Sequence, residues 1–203
     1  MKKWMSLFDL CPIRPSGQKE RAARITAMSY LRDCQDKEQR MEKQLLNTGE
    51  YILLRGKDSY NGLLQRVETN PVSRITGRAI MDLYNSVPKS HRKNAVFLMN
   101  TVTLNELSHN LGVDRNLLSS RDDGTFMLMD QPIVLCNAMP FISKGSVPIL
   151  FGDFGKVSIE DCGRDELQQE PCEGNPGTQQ YTLTGYMDCM LEEQLAVRGI
   201  KVV

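Results

Sequence analysis

Histidine is nearly missing from this 203-residue chain, with His91 and His109 the only two. Neither precedes a serine or cysteine in a nucleophile motif, so little general acid–base chemistry is on offer. The patterns GxSxG, GxGxxG and GxxxxGKS/T are absent, which removes the common nucleophile elbow and phosphate cradles. No apolar run reaches the roughly 18–20 residues that a membrane helix requires. The six cysteines form no CxxC, and no Cys/His pair has zinc-ligand spacing. Aromatic residues are 6% of the chain, and none interleave with the basic runs KERAAR (19–24) and SHRKN (90–94). A stacking platform for single-stranded nucleic acid is therefore poorly supported. Net charge is also lacking, with 25 Lys/Arg against 25 Asp/Glu.

That neutrality hides a division. Residues 1–100 carry 18 Lys/Arg and 10 Asp/Glu, and the remainder carry 7 and 15, so the halves stand at +8 and −8. Two readings are open: solvated faces of one monomer, or a basic region meeting the acidic region of a neighbouring copy. Apolar residues at 40% and charged residues at 25% are ordinary for a globular protein. The opening MKKWMSLFDLCPI imitates a signal start, but Asp9 and Pro12 break it early. The reading is a reducing cytoplasm with free thiols.

Residues 1–30 read as irregular, punctuated by Pro12, Pro15 and Gly17. Residues 31–54 read as a long polar helix with a thin seam of Leu31, Cys34, Met41, Leu45 and Ile52. A loop with an Asn61-Gly62 turn follows, and Pro71 keeps 67–73 extended. Thr76 can cap a helix to about Val87, ended by Pro88. The run AVFLMN (95–100) reads as a buried strand. A helix over about 102–111 would use Thr101 or Thr103 as its cap and end before Gly112. After a polar loop at 112–124, strands are expected at 125–129, 132–142, 147–154 and 156–161, then an acidic loop at 165–178. The final segment, TQQYTLTGYMDCMLEEQLAVR, fits a helical face and an alternating strand equally well, though Gly185 and the Tyr/Thr-rich start favour strand. There is no internal repeat.

Candidate chemistry is sparse. Cys136 lies in an apolar strand beside Asn137, and with His91 or His109 it would supply the residues of a cytosolic enzyme or binding domain. Glu160-Asp161 and Glu192-Glu193 are adjacent pairs, which a strand would point to opposite faces, so neither forms a ready dyad. The acidic stretch DCGRDELQQEPCEG lacks the alternating oxygen ligands of a calcium loop. No catalytic, cofactor-binding or metal-binding residue is assigned.

Four ordered segments carry a resemblance: YILLRGKDSYNGLL (51–64), SHRKNAVFLMNTVTLNEL (90–107), DGTFMLMDQPIVLCNAMP (123–140) and SVPILFGDFGKVSIEDCG (146–163). Together they resemble the major capsid proteins of tailed bacteriophages with the HK97-like fold. The resemblance implies an α+β capsid fold with a spine helix at 31–54. Peripheral parts at 31–75 and 156–203 would flank an axial part at 76–155, a mixed sheet with helices. It also implies that the last segment is strand near 178–191. The first 30 residues would be a much-reduced arm and E-loop, or mark a truncated prophage copy.

The implied function is structural rather than enzymatic. Many copies would form the hexamers and pentamers of an icosahedral virion shell around double-stranded DNA, assembled in the bacterial host cytoplasm. Scaffold, protease and portal proteins are possible partners, no membrane is involved, and no cofactor is called for. The encapsulin shell is the nearest variant of this reading. Some family members crosslink through a Lys–Asn bond assisted by a Glu. Here Glu192 lies near the place of that Glu and Gly185 near that of the Asn, so no crosslink is expected.

Overall fold

A computed structural model of the chain describes residues 6–32, 36–110, 117–172 and 178–203. Cys34, Gly112 and the glycine–proline run at 174–177 lie outside these.

The leading segment is more ordered than its composition suggests. A single turn, α1 (Leu7–Leu10), is followed by the short β1 (Ile13–Pro15) and then by β2 (Ala23–Arg32). In β2, Ala23, Ile25 and Ala27 are buried while Arg24, Thr26, Met28 and Tyr30 are exposed. This period-two pattern is that of a half-buried strand, built from residues too small and polar to stand out. The irregular reading of 1–30 is thus corrected, and so is the start of the long helix. Leu31 and Arg32 are paired with Gln179 and Thr178 in a ladder, so α2 runs over Lys37–Arg55 instead. Its seam of Met41, Leu45 and Ile52 is buried as read, joined by Gly49, Leu53 and Leu54.

The middle of the chain follows its local signals closely. The loop after α2 contains one helical turn, α3 (Leu63–Arg66), and β3 (Glu68–Val72) carries Pro71. α4 (Gly77–Ser86) is capped by Thr76, whose hydroxyl accepts the Ala79 N–H at 3.3 Å. After Pro88 come the turn α5 (Lys89–Arg92), β4 (Val96–Met99) and α6 (Thr101–Asn110). The cap of α6 is neither threonine: Asn100 Oδ1 accepts the Thr103 N–H at 2.7 Å. β5 (Leu118–Ser120) and β6 (Phe126–Leu128) form a hairpin across the Asp122-Asp123-Gly124 turn.

β7 (Gln131–Leu135) stops well short of residue 142. Its ladder with β4 closes where the Cys136 N–H donates to the Met99 carbonyl at 2.9 Å, and the following carbonyls are taken by side chains. β8 (Ile149–Gly152) and β9 (Val157–Arg164) match the expected strands in place. The acidic region expected to be loop contains β10 (Gln168–Pro171). β11 (Thr178–Leu191) is the strand that the resemblance implied, and β12 (Val197–Val202) follows.

Two sheets result. One joins β1, β9, β11 and β10 in that order, with β2 on the other side of β11. The second has the order β3-β12-β8-β4-β7-β6-β5. It therefore draws in β3 and β12 from segments that the sequence reading placed in the peripheral parts, since β12 pairs parallel with β3 and antiparallel with β8. α2 lies on the first sheet, and Gly185 of β11 is the contact point. A Cβ there would come within 2.8 Å of Leu45 Cδ2, so any larger residue would require the Leu45 side chain to shift.

The centre of the second sheet is buried on both faces. Along β4, β7 and β8, alternate residues enter two different cores. Leu98, Val134 and Leu150 join the core beneath α2, whereas Phe97, Ile133, Leu135 and Phe151 join the core beneath α4 and α6. Burial on both faces explains why these strands read as unbroken apolar runs. Phe151 stacks on Phe97 at 4.3 Å and on Tyr84 at 5.4 Å between ring centroids.

Candidate functional site

The residues singled out for chemistry do not converge. Cys136 is 1% exposed, just past β7. Burial, followed by the charge of Glu50 beside it, pushes its thiol up to about 12, so the nucleophilic thiolate is disfavoured. Burial does the same to Cys189, also to about 12. His91 faces another partner altogether: its Nε2 lies 3.3 Å from Glu193 Oε2, while Lys156 Nζ lies 2.7 Å from Glu193 Oε1. The hydrogen bond from Lys156 holds the Glu193 carboxyl below its ordinary value. His109 is exposed in the last turn of α6. Among the described residues no group of three or more His, Cys, Asp or Glu could hold a metal ion. No helix among them is long and apolar enough to cross a membrane. A cleft of about 410 Å³ near Arg55, Gln65, Ser146 and Lys201 has no carboxylate, histidine or cysteine in its lining.

Polar side chains are used instead to hold backbone. Arg55, at the end of α2, donates from Nε to the Ala138 carbonyl at 2.6 Å and from Nη2 to the Met139 carbonyl at 2.9 Å. Asn100 Nδ2 donates to the carbonyls of Met139 and Pro140 at 3.0 and 2.8 Å, and Tyr51 Oη donates to that of Asn137 at 3.1 Å. Three side chains, two from α2 and one from the cap of α6, thereby fix one loop through its carbonyl groups. A second knot fastens α3 to β11. Asp188 Oδ1 accepts from Tyr60 Oη and from Arg66 Nη2, each at 2.9 Å, while Arg66 also donates to the Cys189 carbonyl. Burial and the Asp188 charge push the Tyr60 hydroxyl well above its ordinary range. None of these contacts was legible from spacing, because each joins positions far apart in the chain.

The divided charge is partly spent inside one chain. Arg14–Glu192 at 2.9 Å, Lys19–Asp165 at 4.0 Å and Arg66–Asp188 each join the basic half to the acidic half. Arg164–Glu42 and Arg198–Glu68 join the halves with the opposite polarity. Of the carboxylate pairs, Glu192 is engaged with Arg14 and Glu193 with Lys156, while Asp161 lies 3.9 Å from Arg164.

What the comparisons add is a family. The model of the phage capsid family matches residues 39–192. The chain belongs to the phage capsid family. Its fold is the HK97-like capsid fold, shown by likeness to solved capsids. The capsid of an empty GTA particle superposes with a TM-score of 0.67 at 15% identity, over 97% of this chain and 89% of that one. The capsid of a native GTA particle gives 0.63 at 17% identity, over 89% and 72%. The SrpI encapsulin of Synechococcus elongatus PCC 7942 gives 0.61 at 16% identity, over 90% and 74%. No curated protein sequence matches the chain. Family and fold are those of a structural protein that associates with copies of itself.

Proposed function

We propose that this capsid-family chain is the repeating subunit of a closed icosahedral shell. Copies would gather as hexamers and pentamers around double-stranded DNA, assemble in the host cytoplasm and end in the virion. The observation that carries this reading is the family match over 39–192, set on the HK97-like fold. Physically, the task asks for a thin subunit with many weak contacts summed over neighbours. The first sheet with α2 would form the peripheral part, and the second sheet with α4 and α6 the axial part near the capsomer centre. DNA would be held by confinement rather than by base reading. Scaffold, protease and portal proteins are the partners such a shell would use. Gly185 sits against Leu45 and Glu192 is paired with Arg14, which favours a shell held without a Lys–Asn crosslink.

Purified protein viewed by negative-stain microscopy over a range of concentrations tests the reading. Rings or shells are expected, and a monodisperse monomer throughout would overturn it. The likeness to an encapsulin favours a second reading, a shell filled with protein rather than DNA. Nuclease-protected DNA inside purified shells supports the first reading, and a protein cargo identified by mass spectrometry supports the second.

A further inference from the structure

One end of the first sheet is a three-stranded ribbon with two open sides. Near its start, β11 pairs with β2 through Thr178–Met187 and with β10 through Gln179–Thr182, before β9 takes over from Gly185. Among the described residues, β2 and β10 each have a strand neighbour on one side only. The polarity of the free side of β2 follows from two hydrogen bonds. The Met28 carbonyl accepts Gln44 Nε2 at 2.9 Å, so it points away from β11. The carbonyl of Thr184, opposite Thr26, accepts the Asp165 N–H at 2.8 Å and so points away from β2. Antiparallel alternation then turns the N–H and C=O groups of Arg24, Thr26, Met28 and Tyr30 toward the open side, where Gln44 of α2 already holds the Met28 carbonyl.

Edge strands of stable monomers are usually short, bulged or interrupted by proline or inward charge. β2 is ten residues long and contains no proline, glycine or acidic residue. Met28 and Tyr30 are 47% and 59% exposed. They lie level with Gln168 and Glu170 of β10, through Thr182 and Gln180 of β11. The two edges also differ in charge. The β2 sequence carries arginines at 24 and 32, whereas β10 and the residues just before it carry Glu166 and Glu170 with no base, Asp165 being paired with Lys19.

We infer that the open edge of β2 in one copy pairs with the β10 edge of a second copy, continuing the ribbon from subunit to subunit. The inference rests on the shell reading and names a contact within it. Pairing β2 with β2 would set arginine-bearing strands side by side, and β10 with β10 would do the same with acids. The unlike pairing brings opposite charges together and covers Met28 and Tyr30. A contact between unlike edges is heterologous, the type that closes into rings.

Mixed-chain crosslinking tests this on full-length protein in a Cys172→Ser background, since Cys172 adjoins β10. One chain carries Met28→Cys or Tyr30→Cys and the other carries Gln168→Cys or Glu170→Cys. After assembly and mild oxidation, a covalent dimer is expected in the mixtures and not in either chain alone. A dimer from the β2 variants alone would overturn the inference in favour of a two-fold contact. No mixed dimer with any pair, while wild-type protein still forms shells, would overturn the inference and leave the shell reading standing. Absence of any wild-type assembly would sink both. Thr26→Pro provides a second arm, because it removes an N–H from the open side and leaves the β11 ladder intact. Its expected result is a monomer that melts like wild type but no longer assembles. Wild-type yields of shells from Thr26→Pro would also overturn the inference.

Discussion

At the scale of single residues, the polar side chains act as fasteners, and their removal has calculable consequences. Asp188→Ala would leave the Arg66 guanidinium without its carboxylate and Tyr60 Oη without its acceptor. Breaking one partner of a mostly buried pair costs about 3 kcal/mol, so a matching fall in urea-unfolding free energy is expected. Glu50 gives the chain a pH signature. Its carboxyl is held above its ordinary 4.5, chiefly by burial, while the Leu7 N–H and Cys136 pull it down and Asp9 pushes it up. A folded-state value above the unfolded one favours the neutral form in the fold. That contribution is complete below about 4.5 and is lost as pH rises through the folded value. Glu50→Gln keeps a neutral acceptor for Leu7, so its urea midpoint should gain on wild type as pH rises from 4.5 to 8 and hold a constant offset below. A pH-independent offset would show that folding does not shift the Glu50 carboxyl. Residue types alone left Cys136 and the histidines as an alternative source of reactivity, with no catalytic residue assigned. Burial and pairing, which depend on distant chain segments, decide against that alternative.

At the scale of elements, legibility follows locality. α4 was readable because Thr76, the Ala79–Ile80–Leu83 face and Pro88 are all within one short window. β4 and β8 were readable because both of their faces are apolar. β2 and β10 were not. The inward residues of β2 are mostly alanines, and β10, with the sequence QQEP, is exposed throughout, so its existence depends on β11 beside it. The cap of α6 was missed because Asn100 was counted as the end of a strand. Gly185 weakly favoured strand in the sequence, but its decisive role, admitting Leu45, appears only once α2 lies on the sheet. Gly185→Val would force α2 away from β11. Overpacking of this kind costs about 1–3 kcal/mol, which a lowered melting temperature by circular dichroism would register. An unchanged melting temperature would mean that Leu45 rotates aside freely.

At the scale of the whole molecule, the shared strands make the two cores one cooperative unit. Leu98 and Phe97 are neighbours in the chain yet sit in different cores, as do Leu150 and Phe151. Melting either core strips one face of β4 and β8, so neither can persist alone. Urea unfolding followed by near-ultraviolet and far-ultraviolet circular dichroism should therefore give superimposable transitions. Separate transitions would show that the layers are independent. The charge division was visible in the composition, but its use was not. Several of its charges close ion pairs within the chain, and the remainder at the β2 and β10 edges gain meaning only from the topology.

The pairing of β2 with β11 also bears on how the chain is made. Ala23 pairs with Met187 and Arg32 with Thr178, so β2 emerges from the ribosome long before its strand neighbour. At about 5–20 residues per second, the roughly 150 residues between them take on the order of ten seconds to synthesise. Contacts this distant in sequence also form slowly once both ends exist. During that interval α2 can cover one face of β2 and hold its Met28 carbonyl through Gln44, but the side that takes β11 stays bare. The nascent chain is therefore most open to wrong strand partners while it is still attached to the ribosome, and slower translation between β2 and β11 prolongs the hazard.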